Sequence, residues 1–230
     1  MTTIPGNLQH VRARIATACQ RAGRGVEEVT LLAVSKTFGA DAVRAAAAAG
    51  QRAFGENYIQ EGVEKIAALR DLGLMWHCIG PIQSNKTRLV AEHFDWVHTV
   101  DRLKIAERLS AQRPADLPPL NVCIQVNIDG GANKSGVAPG DALALARAVA
   151  ALPQLKLRGL MSIPEIAPDF EAARAVHAGA RALFDQLNAD GLGLDTLSMG
   201  MSDDLEAAIA AGSTMVRIGT AIFGSRAPKP

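Results

Sequence analysis

The chain has 230 residues, 48% of them hydrophobic, enough for one substantial core. Twenty-four basic residues stand against 23 acidic ones, a net charge of +1. No basic block is interleaved with aromatics, which argues against nucleic acid as the main partner. The alanine-rich runs (residues 45–49, for example) are short and broken by charges, so no membrane span is expected. Cys19, Cys78 and Cys123 are scattered, and the opening residues are not expected to be a signal peptide. Buried, reduced thiols and a cytoplasmic location are expected from that pattern.

Leu8, Val11, Ile15, Ala18 and Ala22 recur at helical spacing and Gly23 follows as a stop, predicting an N-terminal helix. Residues 30–37 then read T-L-L-A-V-S-K-T. The unbroken run from Leu31 to Val34 has the pattern of a parallel strand covered on both faces, and Lys36 follows it. Further strands are predicted over 52–57, 75–82, 95–101, 120–128, 155–163, 196–201 and 215–223. Helices are predicted between them. One covers 41–49, one carries Ile59, Val63 and Ile66 on a single face, and others cover 84–93, 102–113 and 203–211. One more places Leu145, Val149 and Leu152 on a stripe, and another aligns Ala172, Val176, Ala180, Leu183 and Leu187. The proline-rich residues 114–119 are too few to be more than a loop.

Strands and helices alternating in one rhythm predict a single α/β domain over 1–230, a (β/α)8 TIM barrel with an extra N-terminal helix. The alternative, a doubly wound open sheet, lacks a glycine fingerprint after its first strand.

Sites in such barrels lie at the C-terminal ends of the strands. Those ends hold Lys36, Asn57, Gly80, Asn127, Met161 and Ser162, the group Ser198, Met199, Gly200 and Ser202, then Arg217, Gly219 and Thr220. A lysine at the mouth of a core is partly desolvated, which makes a neutral, nucleophilic amine more available. Small residues and hydroxyls after strands seven and eight suit an anion, because barrels commonly hold phosphate there. Arg217 shares a strand face with Gly219, and a charge inside a barrel needs a partner. An acid on a neighbouring strand and a ring nitrogen in acceptor form would both serve.

The motifs S-K-T at 35–37, F-G-E-N at 54–57 and W-H-C-I-G-P-I-Q-S-N-K at 76–86 resemble the pyridoxal phosphate homeostasis protein family. So do G-L-M-S-I-P at 159–164, S-M-G-M-S-D-D at 198–204 and M-V-R-I-G-T-A-I-F-G at 215–224. That family is similar in fold to the barrel domain of alanine racemase and ornithine decarboxylase. The resemblance implies pyridoxal 5′-phosphate (PLP) held as an aldimine on Lys36. It implies phosphate contacts from Ser202, Gly219 and Thr220 and an Arg217 contact near the pyridine nitrogen. It also implies a cofactor site completed by Asn57, Met161, Ser162, Ser198, Met199 and Gly200. The implied role is carriage or regulation of PLP and vitamin B6 without efficient catalysis, in a monomer or a dimer, with apo PLP-dependent enzymes as candidate recipients. The loop 129–136, D-G-G-A-N-K-S-G, departs from the family, which often carries an acid near Gly131.

Two other functions stay open at this point. A small PLP-dependent amino-acid racemase would need a second base, and the lone Tyr58 sits on the barrel's own framework. A Schiff-base aldolase would use Lys36 directly on a sugar phosphate. His10, His77, His93, His98 and His177 show no metal-ligand spacing and are expected on the surface or behind the site. Lys86 and Lys134 are the other lysines of interest, Lys86 as a secondary cofactor site.

Overall fold

The structure, a computed structural model, describes residues 3–131 and 134–225. Eight parallel strands close in the order β1 to β8: β1 (Thr30–Val34), β2 (Ala53–Glu56), β3 (Met75–Cys78), β4 (Trp96–Val100), β5 (Leu120–Gln125), β6 (Leu155–Met161), β7 (Thr196–Ser198) and β8 (Met215–Ile218). Pairing of β1 with β8, from Thr30 opposite Met215 to Ala33 opposite Ile218, seals the barrel. The expected TIM barrel is therefore the fold.

Helices α1 (Ile4–Arg21), α2 (Ala40–Ala48), α3 (Ile59–Ala68), α4 (Thr87–His93), α5 (Leu103–Gln112), α6 (Ala142–Ala150), α7 (Phe170–Ala189), α8 (Leu205–Ala210) and α9 (Thr220–Phe223) surround it. The expected N-terminal helix is α1, capped by Thr3, whose side chain accepts from the Gly6 N–H. Its stripe of Leu8, Val11, Ile15 and Ala18 is buried, with Cys19 beside it.

Two-residue alternation divides the strand side chains. Ala33, Val97, Val122, Val216 and Ile218 join the main core between barrel and helices. Leu32, Val34, Ile79 and Met215 form one separate cluster, and Trp96, Cys123 and Met161 another. Those residues share faces with His77, His98, Ser198 and Arg217, all buried, so the barrel interior is part apolar and part polar.

Several strands stop earlier than the apolar runs suggest. β3 ends at Cys78, β5 at Gln125, β6 at Met161 and β7 at Ser198. The expected strand 215–223 breaks at Gly219 and continues as the helical turn α9. Short apolar runs suit a strand or a helix equally. On α7 the buried line runs through Ala173, His177, Ala180, Leu183, Phe184 and Leu187, so Ala172 and Val176 lie at its margin. Cys19, Cys78 and Cys123 are buried free thiols.

Candidate functional site

Lys36 sits one residue beyond Ser35, whose N–H still pairs with the Gly55 carbonyl at 3.0 Å. Thr37 then takes φ = 69°, a left-handed conformation rare for a β-branched residue. Two elements hold this turn. The Glu61 carboxylate on α3 accepts from the Thr37 N–H at 2.6 Å. Lys65, one turn further along α3, donates to the Ser35 carbonyl at 2.7 Å, to Glu56 at 2.8 Å and to Glu61 at 2.6 Å. The Ser35 hydroxyl donates to the same Glu56 oxygen at 2.6 Å. Burial pushes the Glu56 carboxyl above its usual range, against the opposing pull of Lys65 and Ser35.

Two strands along the barrel from β1, Gly200 at φ = 96° turns the chain after β7, and its carbonyl accepts from the Arg217 N–H at 2.9 Å. A Cβ there would lie 2.5 Å from that of Ala208, so only glycine fits. Arg14 of α1 donates to the Ser202 carbonyl at 3.0 Å and pairs with Glu206, tying the loop down. The helix expected from residue 203 begins only at Leu205 and has six residues; α9, which opens at Thr220, has four. Turn backbone and hydroxyls, rather than a long helix dipole, are what an anion would meet.

Arg217 on β8 is 4% exposed. Its side chain donates to Ser198 Oγ at 2.8 Å and to the Ser162 carbonyl at 2.9 Å, both neutral oxygens. Of the two partners open in sequence, a strand acid takes neither bond. Burial lowers the guanidinium pKa to about 10. Ser198 Oγ also meets His98 Nδ1 at 2.9 Å, and His98 Nε2 meets His77 Nδ1 at 2.8 Å. Because arginine only donates, Ser198 Oγ accepts from Arg217. The ring tautomers set the direction of the hydrogens between Ser198 and His98 and between His98 and His77. Burial pushes His98 well below the usual histidine range, with His77 and Arg217 adding to the effect, and lowers His77 to about 3. Both rings are neutral donors and acceptors. His77, His98 and His177 are thus interior, not surface, residues, although His98 does stand behind the site as one of the expected alternatives.

Lys36, Asn57, Ser202, Arg217, Gly219 and Thr220 line one cavity of about 240 Å³. Val34, Ile79, Ile163, Met201 and Asp203 complete its wall; sequence reading missed these, although the three aliphatics continue apolar strand ends. Ser162, Ser198 and Gly200 stand one layer back, bonded to Arg217. Met161 and Met199 are fully buried among apolar neighbours. A wider depression of about 440 Å³ lies between residues 37–40 and α3. Volume alone would select it, but the smaller cavity gathers an amine, hydroxyls and a guanidinium.

The donor set suits a phosphorylated ring aldehyde. The hydroxyls of Ser202 and Thr220 line the cavity where an anion would be held, and among the described residues Asn57 Oδ1 is a buried acceptor without a partner. Of the loop 129–136, Ala132 and Asn133 lie outside the described residues; Lys134 donates to the Pro164 carbonyl at 3.5 Å. Among the described residues no cluster of His, Cys, Asp or Glu could hold a metal ion, and no helix is long and apolar enough to cross a membrane.

Residues 6–227 match the family model described as the alanine racemase N-terminal domain. The pyridoxal phosphate homeostasis protein of Pseudomonas aeruginosa is 65% identical over 98% of this chain and 97% of its own length. The solved structure of PipY from Synechococcus elongatus with PLP bound is 40% identical, with TM-score 0.80, over 91% of this chain and all of that one. Alanine racemase from Corynebacterium glutamicum, 21% identical with TM-score 0.66, shares the fold over 96% of this chain and 62% of its own.

Proposed function

This chain belongs to the pyridoxal phosphate homeostasis protein family, and from that premise we propose that it binds PLP covalently through Lys36 and serves PLP homeostasis without efficient turnover. The observation that carries the reading is the single cavity uniting Lys36 with Ser202, Arg217, Gly219 and Thr220. The relatives are named for homeostasis, and PipY was solved with PLP. The three free, buried cysteines support a reducing, cytoplasmic setting.

PLP supplies an aldehyde that amines can attack and a ring that withdraws electrons. Within this reading, Lys36 provides the amine for the aldehyde carbon. Ser202 and Thr220, with the backbone at Gly219, hold the phosphate through charge-assisted hydrogen bonds. Arg217 can only donate, so beside the ring nitrogen it would keep that atom an acceptor. An unprotonated ring withdraws electrons less strongly, which disfavours carbanion chemistry. Apo PLP-dependent enzymes are the proposed recipients.

Borohydride reduction followed by peptide mass mapping tests the assignment. The pyridoxyl group should be found on Lys36 and vanish in Lys36→Ala. A label mainly on Lys86 or Lys134 would overturn it. Holo-protein offered the common L- and D-amino acids should turn over far more slowly than the roughly 1–10³ s⁻¹ of ordinary enzymes. Turnover in that range, lost in Lys36→Ala, would establish a racemase or another enzyme instead.

A further inference from the structure

We propose that the buried cluster Lys65–Glu56–Glu61 is a positioning device that presents the Lys36 amine to the cavity. The inference rests on the reading that Lys36 is the PLP-bearing residue. Lys65 is 5% exposed, and its three donors meet three acceptors, so its orientation is fixed. One acceptor is the carbonyl of Ser35, immediately before Lys36. Another is the Glu61 oxygen that also takes the N–H of Thr37, immediately after it. The third is the Glu56 oxygen that takes the Ser35 hydroxyl. Both neighbours of Lys36 are thereby tied to one ammonium from α3, across the ends of β1 and β2.

The backbone explains why such a clamp is needed. A β-branched residue at φ = 69° is strained, and strained turns persist only where their surroundings over-determine them. Here the Glu61 bond to the Thr37 N–H and the Lys65 bond to the Ser35 carbonyl hold the two peptides that flank Lys36. Released, the turn relaxes toward ordinary φ and the amine leaves its place in the wall. Attack on an aldehyde held a few ångströms away depends strongly on such placement. The proposed phosphate grip follows β7 and β8, beside β1 in the closed barrel, and does not use these groups.

The test separates attack from grip. Glu61 is partly exposed, so Glu61→Ala releases the Thr37 half of the clamp without opening the core. Apo-protein mixed with PLP in stopped flow reports the rate at which the Lys36 adduct forms. Pyridoxine 5′-phosphate, which has no aldehyde, reports the non-covalent grip. In Glu61→Ala the adduct rate should fall tenfold or more while pyridoxine 5′-phosphate affinity stays within threefold. Glu61→Gln keeps an acceptor for both donors and should recover most of the rate. Should Glu61→Ala not fold, Lys65→Met is read by the same pair of measurements. An unchanged adduct rate, or equal losses of rate and affinity, would overturn the positioning role. No adduct on Lys36 even in the unsubstituted chain would instead overturn the PLP reading, and the proposal with it.

Discussion

Two buried cations serve the site, Lys65 behind the Lys36 turn and Arg217 in the cavity wall, and the protein treats them in opposite ways. Lys65, 5% exposed, is surrounded by two carboxylates and a carbonyl. Arg217, 4% exposed, is bonded to a hydroxyl and a carbonyl, with neutral histidines behind them and the Asp204 carboxylate acting on it without a bond. Burial is the same; compensation is not. A cation neutralised by its own neighbours fixes geometry and projects little field. A cation left on neutral partners keeps its desolvation cost until an acceptor arrives, so a ligand supplying that acceptor gains what the fold left open. The contrast separates a charge that builds the site from a charge that waits for the ligand.

Removing each cation in turn should break the comparison most visibly. Lys65→Met leaves Glu56 and Glu61 facing each other without a counter-ion. Breaking a buried pair in this way costs about 3–5 kcal/mol, measured by urea unfolding of the apo-protein. Arg217→Met lifts a desolvated charge but leaves the Ser162 carbonyl without its donor, so the apo-protein should lose only about 1–2 kcal/mol, less than Lys65→Met. The same substitution should weaken PLP retention at least tenfold, about 1.4 kcal/mol. If Arg217→Met destabilised the apo-protein as much as Lys65→Met, the distinction between the two cations would be lost.

The neutral histidines make the Arg217 side sensitive to acid. His77 has a folded pKa of about 3 against an ordinary 6.5, so between those values the unfolded chain binds a proton that the folded one refuses. Stability is therefore complete above pH 6.5 and is lost as pH falls toward 3. This group alone contributes about 1.4 kcal/mol per pH unit across that window. His98, depressed in the same direction, steepens the slope. Urea midpoints at successive pH values should fall accordingly, and His77→Phe should flatten the decline. An undiminished slope in that variant would place the acid sensitivity elsewhere.

Much of this arrangement could be read from the chain before its fold. The alternation of apolar runs located all eight strands, and collecting their ends brought Lys36, Asn57, Ser202, Arg217, Gly219 and Thr220 to one cavity. Strand ends were less legible, because an apolar run continues into the cavity wall after its ladder stops, as Ile79 and Ile163 do. The Lys65 cluster escaped notice for a different reason. On a helix face Lys65 looks like any solvated charge, four residues after Glu61. The signal was Glu56, an acid closing the strand A-F-G-E, since a carboxylate there must find a cation. Nothing in the spacing identifies which lysine answers it. The histidines were obscured likewise: a strand-borne ring reads as core or as surface until its neighbours across the barrel are known.

The smallest expected effect sharpens the Lys36 side of the comparison. Thr37 holds φ = 69°, a conformation costing a non-glycine residue roughly 1–2 kcal/mol. Thr37→Gly removes that strain but frees the unfolded chain by about 0.5–1 kcal/mol, so the net gain should stay below about 1 kcal/mol. Glycine retains the N–H that Glu61 accepts, and the Lys65 bond to Ser35 does not involve the Thr37 side chain. The rate of adduct formation at Lys36 should accordingly remain within about twofold of the parent, since the hydrogen bonds rather than the side chain hold the turn. A tenfold loss of that rate in Thr37→Gly, with stability unchanged or higher, would show that the stiffness of the β-branched residue presents Lys36. The ionic cluster would then be only the scaffold around it.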